Sequence, residues 1–305
     1  MKLLLLSFIF ISTCFGQPAI LNSDSLLVSL NWKTGDTHSV KIVSNTSDNL
    51  STGSRFSSTK YLAKYKVLSQ NKDGFLIKWQ YTKFSLDPNE INVENIILCT
   101  LLNVEFDISI SLNGVTRKFI NVDEVRIIAN KVIDSLITLN NINPRKKTQF
   151  QIAKTILSTN QGVENGLLKH IDFYTIFFGS TYSLKNTETR KVAMQDLFAD
   201  EPRDAIETTT VSQPDNENNT CQIERKITTD GNLLKQNIIE FLQKKLLKIP
   251  PKIIEQVNSN DLEYSVTYQQ KINFNQSFIL NSKFIRKMNL GYSNRTIIVE
   301  IENAD

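Results

Sequence analysis

Apolar and polar residues alternate along much of this chain with the period of a half-buried strand. The spacing changes to threes and fours near residue 123 and again near residue 232. The first alternation is Val28-Ser29-Leu30-Asn31-Trp32, followed by a turn around Thr34-Gly35-Asp36 and by His38-Ser39-Val40-Lys41-Ile42. A three-residue loop pairing Lys33 with Thr37 sets Trp32 against His38, Leu30 against Val40 and Val28 against Ile42. The apolar side chains then share one face, as register demands. The second hairpin is sharper. Tyr61, Ala63, Tyr65 and Val67 alternate with Leu62, Lys64, Lys66 and Leu68. Beyond Asn71-Lys72-Asp73-Gly74, Phe75, Ile77, Trp79 and Tyr81 alternate with Leu76, Lys78 and Gln80. Direct pairing of Gln70 with Phe75 would set Trp79 against Lys66. A three-residue loop, Asn71 to Asp73, with Gly74 in a left-handed bulge, sets Val67 against Ile77 and Tyr65 against Trp79. One face is then aromatic and the other basic and polar, which suits a sheet wet on one side. A third hairpin turns at Asn113-Gly114 and pairs Ile108 with Phe119 and Leu112 with Val115.

Asp123-Glu124 open a helix with Asp123 as its N-cap. Val125, Ile128, Val132, Leu136 and Leu139 form its apolar stripe, and Asn140-Asn141 and Asn143-Pro144 stop it. Further helices are expected over Thr148 to Leu157, over residues 163–178, and over Asn232 to Leu247 with Asp230 as cap. The last carries Leu234, Ile238, Phe241, Leu242 and Leu246 on one side and ends at Pro250-Pro251. Strands are expected at Asp204–Val211, Cys221–Thr228, Glu263–Phe274, Phe278–Met288 and Arg295–Ile301, with an irregular region near 179–219. The order is strands, helices, strands, helix, strands. It predicts an α+β fold: a curved, half-barrel-like antiparallel sheet with about three to four helices packed on one face. No repeat or clear linker interrupts residues 17–305, which read as a single domain.

The first sixteen residues change the picture. Lys2 precedes an apolar run from Leu3 to Ile11, and small and polar residues lead to Phe15-Gly16-Gln17. This is the pattern of a secretory signal cleaved before Gln17. It is shorter than the ~20 apolar residues that span a bilayer. The expected location is therefore periplasmic or extracellular. Thr13 before Cys14 is a poor fit to lipoprotein acylation. Cys99 and Cys221 remain; an oxidising compartment permits a disulfide between them, worth roughly 4–5 kcal/mol by chain entropy, and two free thiols are the alternative. The net charge of +4 is too small to argue for nucleic acid or an anionic membrane. Five Asn-x-Ser/Thr sequons, at Asn45, Asn49, Asn218, Asn275 and Asn294, carry meaning only in a eukaryotic secretory pathway.

Candidate chemistry is sparse. There are 2 His, no His-Glu-x-x-His or Cys-x-x-Cys, and no Gly-x-Ser-x-Gly elbow or phosphate-binding glycine loop. His38 reads as a packed imidazole. His170 lies near Asp172 but lacks a nucleophile. Asp196, Asp200, Glu201 and Asp204 read as a solvated loop rather than a calcium site. Lys244, Lys245 and Lys248 read as the wet side of a helix packed on its own sheet rather than as a membrane-docking face. No metal, cofactor or catalytic residue is assigned, and the reading is non-enzymatic. The aromatic face of the second hairpin carries the most suggestive signal. If helices cover it loosely, Tyr61, Tyr65, Phe75, Trp79 and Tyr81 line an apolar cavity suited to a lipid or other hydrophobic ligand. If they cover it tightly, it is core.

The signal ending Phe15-Gly16-Gln17 carries a resemblance, as does the mature start Leu27-Val28-Ser29-Leu30-Asn31-Trp32-Lys33-Thr34-Gly35-Asp36-Thr37. So does the strand Tyr65-Lys66-Val67-Leu68 leading to Asp73-Gly74. Over roughly residues 1–125 the chain resembles uncharacterised secreted or periplasmic proteins of Bacteroidetes. That family has no assigned activity, so the resemblance implies export and a β-rich start, and no site residue. The layout is also similar to periplasmic lipoprotein carriers, which is analogy of fold alone. The expectation is an exported, non-enzymatic protein that binds a hydrophobic ligand in the cell envelope. The alternatives are a structural or interaction protein of the envelope and an unrecognised hydrolase.

Overall fold

The computed structural model describes residues 20–21, 24–50, 53–86, 92–112, 117–138, 144–194, 201–245, 250–275, 278–291 and 293–304. The leader with Cys14, the Asn113-Gly114 turn, the Asn140-Asn141 stop, Asp196, Asp200, Leu246 and Lys248 lie outside the described residues.

The chain order is β1 (Ile20–Leu21), β2 (Ser25–Leu27), β3 (Thr37–Leu50), β4 (Gly53–Asn71), β5 (Gly74–Leu86), α1 (Val93–Thr100), β6 (Glu105–Ser111) and β7 (Arg117–Phe119). Three helices follow: α2 (Val122–Thr138), α3 (Pro144–Leu157) and α4 (Asn160–Thr175). Then come β8 (Thr181–Ser183), β9 (Glu188–Met194), β10 (Arg203–Val211), β11 (Thr220–Thr229), α5 (Gly231–Lys245), α6 (Pro251–Ser259), β12 (Glu263–Asn273), β13 (Phe278–Asn289) and β14 (Ser293–Asn303). An open, antiparallel, 11-stranded sheet runs β7-β6-β5-β4-β3-β14-β13-β12-β11-β10-β9, beside a small sheet β1-β2-β8. The α+β class and antiparallel sheet agree with the sequence pattern. The helices number six among the described residues rather than three to four, because α1 and α6 are too short to announce themselves by periodicity.

Helix α1 starts where Asn92 accepts the Asn95 amide at 2.9 Å, a side-chain N-cap. Pro251 occupies the first turn of α6, where its missing N–H costs nothing. Pro144 likewise begins α3 instead of merely ending α2. The expected irregular region near 179–219 contains β8, β9 and β10. β10 is the strand expected at Asp204–Val211; the weak signal of β8 and β9 follows from their edge position, and β9 is mostly exposed, so it needs no apolar alternation.

The second hairpin keeps its expected partners, Val67 with Ile77 and Tyr65 with Trp79. The device differs. Gln70 does pair with Phe75, and a bulge between Val67 and Ser69 restores the faces. Ile108 pairs with Phe119 as expected. The first hairpin does not form. Strand β3 gives one edge to β4, with His38 opposite Tyr65, and the other to β14, with Ile42 opposite Ile301. Both ladders are then filled, so residues 28–32 belong to no strand, with Val28, Leu30 and Trp32 still buried. The alternation encoded a buried face, not a partner.

Two apolar clusters lie on the helix-facing side of the large sheet. The larger packs α1 to α4 over β3 to β7 and reaches Phe284 and Val299 on β13 and β14. The smaller packs α5 and α6 over Tyr264, Met288 and Leu290. Leu234 and Ile238 are buried there as the stripe of that helix predicts.

Candidate functional site

The five aromatic side chains of the second hairpin are brought together, deep in the larger cluster. Tyr61, Tyr65, Phe75, Trp79 and Tyr81 are all at most 2 % exposed. Tyr65 and Trp79 stack at 5.8 Å between ring centroids, as directly opposed cross-strand neighbours do. Trp32 closes one end of this row at 5.0 Å from Tyr65 and 5.5 Å from Phe75. The helices supply polar partners to the Tyr61 and Tyr81 hydroxyls, while Trp79 Nε1 is buried without a hydrogen-bond partner. The Tyr61 hydroxyl donates to Asn95 Oδ1 of α1 at 2.9 Å. The Tyr81 hydroxyl meets His170 Nδ1 of α4 at 2.9 Å and lies 3.3 Å from the Leu167 carbonyl. Burial pushes both phenols well above their ordinary range. The row is therefore a rigid floor, and its members line none of the three pockets described below.

His170 is fully buried, and burial, helped by Lys169, holds its pKa well below the ordinary value. It faces a phenol rather than a cleft. His38 packs against Tyr65 and Phe278 at 5.2 and 5.7 Å. Cys99 and Cys221 are free thiols, the first exposed on α1 and the second buried on β11. Among the described residues no group of three His, Cys, Asp or Glu side chains could hold a metal. No described helix is long and apolar enough to cross a membrane.

Three concave places stand out among the described residues. One is a groove of about 650 Å³ across the helix layer, bounded by Val93, Glu94 and Ile97 of α1, Ile156 of α3 and Gly162, Asn165, Gly166 and Lys169 of α4. Its floor is apolar and its rim polar, with an ion pair between Lys169 and Glu94 bridging two helices across the rim. Gly166 explains how α1 and α4 come so close: a Cβ there would sit 3.2 Å from Ile97 Cγ2. The sequence offered no direct signal for this groove, because α1 was not legible and the glycines of α4 carry no pattern of their own.

A second place, of about 310 Å³, lies between β8 and the β9–β11 end of the sheet. There Glu207, almost completely buried, accepts from Arg190 at 2.8 Å. Arg225 approaches the same oxygen at 3.6 Å, donates to the Tyr182 hydroxyl at 3.3 Å and lies over the Phe177 ring at 5.2 Å. Glu207 ties Arg190 to this end of the sheet and Arg225 reaches Tyr182 of β8, although Arg225 Nε is itself buried without a hydrogen-bond partner. The third place is a pocket of about 180 Å³ lined by Arg286, Met288, Arg295 and Ile297.

Compared with known proteins, the chain matches no family model and no curated protein.

Proposed function

We propose that this is an exported, non-enzymatic binding protein of the cell envelope that holds a hydrophobic ligand. Its half-barrel-like sheet would serve as a rigid support for the helix layer. The observation that carries this reading is the groove between α1, α3 and α4. Its volume of about 650 Å³ falls within the ~300–1,000 Å³ of small-molecule sites, with apolar walls and a few polar groups at the rim. The occupant is an elongated apolar molecule, a lipid or acyl chain, lying against Val93, Ile97 and Ile156. Its polar end lies toward Asn165 and Lys169. The aromatic row beneath acts through stiffness: its interlocked rings hold α1 and α4 at a fixed separation.

Native mass spectrometry of protein purified from its own envelope, with lipid extraction of the same sample, tests this. An apolar adduct near one-to-one is expected, and Asn165→Trp, an exposed rim position, should abolish it by blocking the groove. A clean mass, together with no uptake of a fluorescent fatty acid by the purified protein, would overturn the reading.

A second reading, an interaction protein, rests on another observation. Helix α2 exposes Ile127, Ile128 and Val132, and α3 exposes Ile152. Exposed apolar helix surface of this kind supports contact with a partner.

A further inference from the structure

We propose that the helix-facing surface of β13 and β14 carries an oxyanion site, built on Arg286 and Arg295, for a carboxylate or phosphate group attached to a short apolar chain. The site is separate from the groove of α1, α3 and α4 and stands or falls independently of it.

Strand register places the residues. Across the sheet, Tyr264, Met288, Arg295, Asp48 and Arg55 form one row, on β12, β13, β14, β3 and β4. The next row is Val266, Arg286, Ile297, Thr46 and Ser57. The pocket of about 180 Å³ between Arg286, Met288, Arg295 and Ile297 therefore spans two rows of β13 and β14. It also lies where the two apolar clusters meet, since Met288 packs against the smaller and Ile297 against the larger. Neither helix layer fills that seam.

Charge decides the ligand. Arg295 pairs with Asp48 at 3.3 Å, and Arg55 is the residue opposite Asp48 on β4. Arg286 makes no ion pair among the described residues, and its Nε is buried without a hydrogen-bond partner. Its guanidinium rests over the Phe284 ring at 5.4 Å, which orients the plane without neutralising the charge. A guanidinium cannot escape burial by losing its proton, as a lysine can. Arg295 thus has one carboxylate partner and Arg286 none beside a small pocket. An oxyanion accepting from Arg286 Nε would satisfy the orphaned donor with a charge-assisted bond. The walls supplied by Met288 and Ile297 would receive the attached carbon chain.

Calorimetry and thermal unfolding of the purified protein, at fixed ionic strength, test the proposal with hexanoate, hexyl phosphate, inorganic phosphate and hexanol. Hexanoate or hexyl phosphate should bind saturably and raise Tm, and hexanol should not. Arg286→Gln should weaken that binding at least tenfold, Arg286→Lys should retain part of it, and Asn165→Trp in the helix groove should leave it unchanged. Inorganic phosphate binding as tightly as hexyl phosphate would assign the site to a free anion. Weaker binding would assign it to the head group of an amphiphile. Absence of binding by every anion, an equal response to hexanol, or undiminished binding by Arg286→Gln overturns the proposal. If Arg286→Gln does not fold, Arg295→Gln is read by the same criteria.

Discussion

The Tyr81 hydroxyl and His170 Nδ1 lie 2.9 Å apart in a place with no access to water, and Nε2 on the far side of the same ring has no partner. The imidazole is kept neutral by burial. Its pKa is lowered on folding, so the unfolded chain binds the extra proton first as pH falls through the ordinary value of 6.5. Stability contributed by neutral His170 is therefore complete above that pH and lost below it. The slope is at most about 1.4 kcal/mol per pH unit for one group. Urea unfolding at pH 7.5 and 5.0 should show this loss in the wild type and a shallower one in His170→Gln. Equal pH dependence in the two proteins would refute the assignment.

Removing the phenolic oxygen isolates the other half of the pair. Tyr81→Phe should cost ~1–3 kcal/mol, the penalty of leaving a buried polar atom without its partner. Loss of Tm with unchanged far-ultraviolet circular dichroism would show that the fold survives the change.

Gly74 begins β5 at φ +151°, and a Cβ there would come within 2.0 Å of the Ile110 carbonyl on β6. The clash is with backbone, which cannot swing away. Gly74→Ala should destabilise by about 2–4 kcal/mol, combining backbone strain with overpacking. A loss below ~1 kcal/mol on denaturant unfolding would mean that β6 moves aside.

The two thiols of the described chain should differ in reactivity. Burial pushes both thiols up to about 11, so access alone separates them: Cys99 is exposed and Cys221 is buried. A maleimide should label Cys99 in the native protein and Cys221 only after denaturation. Both should stay free under a mild oxidant. An oxidised, intramolecularly cross-linked species would restore the disulfide that the sequence permits.

Much of the sheet was legible because its strands advertise burial by alternation. Tyr65 opposite Trp79 and Ile108 opposite Phe119 follow from period two together with the turn residues between the strands. The limits have physical causes as well. Val28, Leu30 and Trp32 alternate just as clearly, yet they do not pair with β3, and Val28 exchanges backbone hydrogen bonds with Gly179 and Ser180 instead, because alternation reports a buried face and is silent about which edge fills the ladder. The candidate sites were harder still. The helix groove depends on α1, whose eight residues span barely two turns. The arginine pocket depends on β13 and β14 lying side by side, and two arginines 9 positions apart in sequence announce nothing until Met288 pairs with Arg295.

Helix α2 shows where a pattern was read one step out of phase, and it makes a sharp test. The stripe Val125, Ile128, Val132, Leu136 is a fair three-and-four series, but the helix buries Val125, Ala129 and Ile133. Ile128 and Val132 are each 37 % exposed. The helix begins at Val122, with Asp123 in its first turn rather than at the cap. The small Ala129 lets the axis approach the sheet, and a hydropathy count alone gives Ala too little weight to set the phase. Ile133→Ala should therefore cost ~2–5 kcal/mol, a buried truncation. Ile128→Lys should stay within about 0.5 kcal/mol, a surface change. If Ile128→Lys proved the costlier of the two, the helix would be rotated from the orientation described. If Ile128→Lys left stability unchanged but lowered self-association or capture by envelope proteins, the outward isoleucines would be a contact surface, and the interaction reading would gain on the carrier.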